Sequence, residues 1–96
     1  MFNTVDYLCC RDIVFKVTKS GDSIKLYERV DNENYKIKRI LKRGKNLSVI
    51  NYNTNNVQEV SNNPILENID DFKVHKKDNL IYLEIIKGGE SYIKCI

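Results

Sequence analysis

The chain has 96 residues, of which 42% are hydrophobic and 30% charged; that size and balance fit one globular domain with one core and argue against a disordered segment. Its 16 Lys and Arg and 13 Asp and Glu leave a net charge of +3, dispersed along the chain, so composition does not show the concentrated basic field of a duplex-binding protein, and nucleic acid is not the expected partner. No apolar run approaches the ~20 residues that cross a bilayer as a helix, and no basic stretch leads into an apolar one at the N-terminus.

At the N-terminus, Phe2, Val5, Cys9, Ile13 and Val17 recur at spacings of three and four residues, which places them on one face of an amphipathic helix over about residues 2–17. Asn3 and Thr4 can cap its start, Lys16 and Lys19 complement its dipole, and Gly21 stands where a left-handed terminator is wanted. Ile13, Phe15 and Val17 also alternate, so a strand over residues 12–18 is the competing reading; the longer spacing favours the helix.

Beyond Gly21 the period changes to two. Ile24, Leu26 and Glu28 alternate, Asp31-Asn32-Glu33-Asn34 supplies turn residues, and a second strand follows from Tyr35 to Leu41. Here Lys36, Lys38, Arg39, Lys42, Arg43 and Lys45 interleave with Ile37, Ile40 and Leu41, a pattern that reads as a strand with one wet face before it reads as a phosphate-binding patch. A turn at Lys42-Arg43-Gly44-Lys45 leads to a strand from Leu47 to Tyr52. Residues 53–64 are polar, with five Asn before Pro64, and read as a surface loop.

The last third sets its own register. A turn at residues 76–79 opposes Val74 to Ile81 and Phe72 to Leu83, and Gly88-Gly89 is a hairpin signal that opposes Lys87 to Glu90, Ile85 to Tyr92 and Ile81 to Ile96. Phe72, Val74, Ile81, Leu83, Ile85, Tyr92 and Ile96 then share one apolar face, with Cys95 beside Tyr82 on the other.

Catalytic chemistry finds little to use, and no catalytic, cofactor-binding or metal-ligating set stands out. His75 is the only imidazole and sits on the polar side of a strand. The three cysteines, Cys9, Cys10 and Cys95, cannot all pair with one another, and they lack the spacing of a zinc site. Buried thiols and a disulfide from Cys9 or Cys10 to Cys95 both remain open. Glu67, Asn68, Asp70 and Asp71 gather oxygens without the spacing of a calcium loop, and the glycines form no phosphate-cradling run. Six Tyr against three Phe and no Trp suit half-buried strands and protein interfaces alike.

Order and local motif together resemble the globular domain of bacterial minor pilins and pseudopilins. The resemblance is carried by Arg11-Asp12-Ile13 at a helix end, a strand with Ile24 and Leu26, Tyr35-Lys36-Ile37, then Ile65-Leu66-Glu67-Asn68-Ile69 before Phe72, and Leu80-Ile81-Tyr82-Leu83-Glu84-Ile85. It implies a non-catalytic structural subunit of a type IV pilus, secretion or competence apparatus at the cell surface, on the extracellular face of the cytoplasmic membrane. Its partners would be other pilin or pseudopilin subunits, contacted through Phe2, Val5, Cys9 and Ile13, with membrane anchoring only through a helix that this chain lacks. The family's leader and apolar half-helix are not found before Met1; with Met1 as the native start the expected location is cytoplasmic, and the expected function is an adaptor or nucleic-acid-associated small β-rich domain using the stretch from Arg39 to Lys45.

The expected architecture is therefore α+β. One N-terminal amphipathic helix packs on an antiparallel sheet of about five to seven strands, residues 1–96 form a single pilin-like domain, and the β-region spans about 23–96.

Overall fold

Tight turns organise the chain. In a computed structural model, which describes residues 3–9, 13–52 and 58–96, eight strands follow one short helix: α1 (Asn3–Cys9), β1 (Val14–Ser20), β2 (Ser23–Arg29), β3 (Tyr35–Arg43), β4 (Asn46–Tyr52), β5 (Glu59–Leu66), β6 (Asp71–Lys77), β7 (Leu80–Lys87) and β8 (Glu90–Cys95). Two-residue turns close four of the hairpins, pairing Ser20 with Ser23, Arg43 with Asn46, Lys77 with Leu80 and Lys87 with Glu90. Gly88 and Gly89 both have positive φ (61° and 77°), the conformation that matches the twist of the flanking strands and that residues with a Cβ resist. Asp78 accepts the same conformation, with φ of 56°, as Asp does more readily than most side chains. The β2–β3 connection is held differently: the Asp31 carboxylate accepts the amides of Glu33 (2.8 Å) and Asn34 (2.9 Å). That carboxyl is consequently held below its usual range, first by the Asn34 side chain and then by the Glu33 amide.

All pairings are antiparallel and sequential, giving a five-stranded sheet in the order β1-β2-β3-β4-β5 and a three-stranded sheet in the order β6-β7-β8. Strand β6 lies against β1, β2 and β3, so the smaller sheet covers the inner face of the larger one. One cluster joins them: Ile24, Leu26, Ile40, Leu47 and Val49 meet Phe72, Val74, Ile81, Leu83 and Ile85, with Ile69 and the helical Val5 and Leu8 in the same layer. Two facing sheets can each bury one apolar side in this way, which sets the alternation along every strand. Hydrogen bonds also stitch the sheets together, from the Val74 amide to Asp22 Oδ1 (3.2 Å) and from the Ile69 amide to the Lys45 carbonyl (2.9 Å).

The α+β expectation, and with it the pilin resemblance, is overturned. The helix runs for seven residues instead of about sixteen (2–17), too short to be the soluble half of a long pilin helix, and the domain is built from strands. Residues 14–20 form β1, because Val14 and Val17 find a cross-strand partner in β2 and bury against the cluster; the competing strand reading names the right element there, although Phe15 and Val17 fall on opposite sides of it. The loop expected over residues 53–64 is strand from Glu59 onward, and Pro64 is tolerated because β5 is an edge; residues 53–57 lie outside the described residues. In the β6–β7 hairpin the turn is two residues shorter than expected, so Val74 opposes Leu83 and Phe72 opposes Ile85. A shift of two keeps every side chain on its face, which is why Phe72, Val74, Ile81, Leu83 and Ile85 of the apolar set still land in the core; Ile96 packs at its margin and Tyr92 stays half-buried outside it.

A shared core makes the two sheets one cooperative unit. Leu26→Ala in the larger sheet and Leu83→Ala in the smaller one remove side chains with no exposed surface and should each lower stability by about 2–5 kcal/mol. Denaturant unfolding followed separately by tyrosine fluorescence and by far-ultraviolet circular dichroism should give one coincident transition for each variant.

Candidate interaction surface

The larger sheet has a second face, directed away from the core, and the pairing registers decide what stands on it. Partners in an antiparallel pair share a face, so the rows Lys16–Tyr27–Ile37, Thr18–Lys25–Arg39, Ser20–Ser23–Leu41 and Arg29–Tyr35 all point outward. A bulge between Val14 and Lys16 adds one residue, Phe15, to that outer side while Val14 and Val17 stay against the core. On this face of β1, β2 and β3 there is no carboxylate. Lys16, Lys25, Arg29, Arg39 and Arg43 supply its charge.

Three aromatic rings cluster at one end of the face. Phe15 packs edge-on to Tyr27 (6.2 Å between centroids) and to Tyr35 (6.0 Å), and Tyr27 lies 5.8 Å from Tyr35. Arg29 is placed 5.0 Å from the Phe15 centroid and Lys16 Nζ 5.3 Å from that of Tyr27, distances at which a cation is attracted to a ring face. The cluster stays open to water, with Phe15 48% and Tyr35 42% exposed.

Toward β4 the same face becomes polar and closed. Arg39 donates from Nη2 to Ser23 Oγ (2.9 Å) and from Nη1 to Tyr52 Oη (3.5 Å), while its buried Nε has no partner among the described residues. Arg43 makes two bonds to the Glu59 carboxylate, at 2.8 and 3.0 Å; the pair holds the Glu59 carboxyl low and the guanidinium high. Ile50, fully buried yet outside the core cluster, lies in the row beside Arg39, so arginine stems rather than a second apolar layer shield this part of the sheet.

The residues singled out from the sequence do not assemble into one site. Of the expected helix contact face, Val5 is buried, Cys9 half-buried and Ile13 exposed beyond the helix end; Phe2 lies outside the described residues. Cys9 and Cys95 are not bridged to each other, and Cys10 lies outside the described residues. The basic stretch is divided by the pleat, with Arg39 and Arg43 outward and Lys36, Lys38 and Lys42 on the opposite side, where Lys38 pairs with the buried Glu28 at 3.1 Å. That pair borders a cavity of about 410 Å³ at the end of the sheet, lined also by Ile13, Val30 and Val60. Asp71 accepts the Phe72 amide (2.8 Å), so its carboxylate serves the backbone. No three ligating side chains converge on a metal position among the described residues.

His75 does find a carboxylate, on the outer face of the smaller sheet. Its Nε2 is 3.1 Å from Glu84 Oε1, and Ser91 Oγ donates to Glu84 Oε2 at 2.5 Å. Glu84 thus stands between the hydroxyl and the imidazole, and the serine proton is directed at the carboxylate, which is the wrong order for nucleophile activation.

Sequence reasoning passed over the aromatic cluster. The abundance of Tyr hinted at it, but the helical reading of residues 2–17 hid Phe15, and a bulge leaves no local signature. Comparison with protein-family models, with curated proteins and with solved structures found no match.

The Glu84 network has a titration signature. Hydrogen bonds from Ser91, and then from His75, lower the Glu84 carboxyl below its ordinary value, so its contribution to stability is complete above the ordinary glutamate range and is lost as pH falls through the lowered value. The Glu84 side-chain carbon, followed by NMR, should titrate below a free glutamate, and Ser91→Ala should move its midpoint upward.

Proposed function

We propose that this chain is a non-catalytic binding module that takes single-stranded nucleic acid on the outer face of β1, β2 and β3. The observation that carries this reading is the segregation on β1, β2 and β3: three clustered rings, Phe15 and Tyr35 open to solvent and Tyr27 half-buried, with Lys16, Lys25 and Arg29 around them and no carboxylate on that side of these strands, although the whole chain has nearly as many acids as bases. Exposed rings stack on unpaired bases, and every base has a face to offer, so such a platform binds with little sequence preference. Lysine and arginine around the rings neutralise the phosphates that connect those bases. An open sheet has no helix or ribbon to insert into a duplex groove, which favours the unpaired strand.

The test is fluorescence anisotropy with a labelled oligothymidine of about 12 nucleotides, a length matched to a platform of this size. Binding should weaken with salt, with a log–log slope of about −2 if Lys16, Lys25 and Arg29 each meet one phosphate. Phe15→Ala and Tyr35→Ala should each weaken binding by about tenfold, corresponding to one lost stacking contact, without loss of the folded state by circular dichroism. Lys25→Gln should reduce the slope by about 0.7. No binding at low salt, or binding indifferent to both aromatic substitutions, removes the proposal.

A further inference from the structure

Two open sheets have four edges, at β1, β5, β6 and β8. An unprotected edge is a row of amides and carbonyls ready to pair with another strand, and folded chains blunt such edges with bulges, proline, charge or a covering group. Strand β1 carries the bulge at Val14 and Lys16. Strand β5 has register shifts toward both ends and Pro64. In β6 two of the amides directed away from β7 are already taken: Phe72 donates to Asp71 and Val74 to Asp22.

Strand β8 has neither bulge nor proline, and its two charges, Glu90 and Lys94, are of opposite sign. Its register against β7 is continuous from Lys87–Glu90 to Tyr82–Cys95. The Ile96 amide bonds to the Ile81 carbonyl (2.9 Å), so by alternation Glu90, Tyr92 and Lys94 face β7, while Ser91, Ile93 and Cys95 direct their amides and carbonyls outward. Among the described residues these outward groups have no backbone partner. On the same strand Ile93 is 66% exposed, the most open of the large apolar side chains described.

The geometry points to a second copy of this chain as the occupant, with β8 pairing antiparallel to β8 across a twofold axis. Self-complementarity supports this choice. With Ile93 opposite Ile93 of the other copy, Ser91 falls opposite Cys95 and all three outward residues are paired at once. Tyr92 then meets Lys94 and Glu90 meets Ile96, so no like charges oppose each other. Both copies present the same patch, as a twofold interface requires, and the two three-stranded sheets become one of six strands. The aromatic face of the larger sheet is uninvolved, so this inference stands independently of the nucleic-acid reading.

Sedimentation equilibrium over a concentration series tests it. The chain should dimerise reversibly, and reducing agent should change nothing: the two Cys95 residues lie four positions apart along the ladder, about 13 Å, beyond the reach of a disulfide. Ile93→Pro deletes an outward amide and leaves the β7 hydrogen bonds intact, so it should abolish the dimer while the circular dichroism spectrum is retained. Ile93→Lys places two ammonium groups opposite each other with the backbone unaltered and should likewise give monomer, which covers the case of a proline variant that fails to fold. A monomeric parent chain at high concentration, a dimer lost on reduction, or a dimer that persists in a folded Ile93 variant overturns the inference.

Discussion

The structure depends on one layer of side chains held between two sheets that could not bury their apolar faces separately. A three-stranded meander exposes one whole face unless something covers it, and a five-stranded one has the same need. Here Phe72, Val74, Leu83 and Ile85 meet Ile24, Leu26 and Ile40, and that contact fixes the facing of every strand. Once Leu26 is committed inward, Tyr27 must point out, and Lys25 with it. The outer surface is therefore a by-product of core register, which is how a chain of modest net charge acquires three adjacent strands, β1, β2 and β3, with no acid on their outer side.

The outer face also shows how a small sheet manages a side that no second layer covers. Near β1 it leaves aromatic rings open and lays cations over them. Near β4 it folds arginine stems across, fastened at Ser23, Tyr52 and Glu59. The fastenings differ in strength: the Arg43–Glu59 pair is exposed and contributes little, whereas Arg39 reaches into a place where Ser23 is buried and its bond is shielded from water. One half of the face is thus settled within the molecule, and the other half is left to meet something else.

Much of the β-region was legible from sequence because its signals are short-ranged. Gly88-Gly89 and Asp31-Asn32-Glu33-Asn34 mark their turns, and alternation through Ile24, Leu26, Phe72, Val74, Leu83 and Ile85 marks the core side even where the turn at Asp78 was misjudged by two residues. The N-terminal segment misled for a physical reason. Residues 12–18 admit both periods, and the choice of strand from Val14 onward is made by tertiary pairing with β2, to which a local pattern is blind. For the same reason the edge role of β5 was missed: its polar Asn-rich run suits a strand whose two faces are mostly wet. The aromatic surface was illegible because it is assembled from β1, β2 and β3 across a bulge, and no window of sequence contains it.

That bulge separates two inheritances within one strand. Val14 and Val17 belong to the core and are constrained by everything packed on them, whereas Phe15 is a supernumerary residue whose removal would restore simple alternation. A single codon gained or lost at this place adds or withdraws a ring from the outer surface without rephasing the interior. Strand β1 is accordingly where the molecule's exterior can be revised by descent while its architecture is conserved.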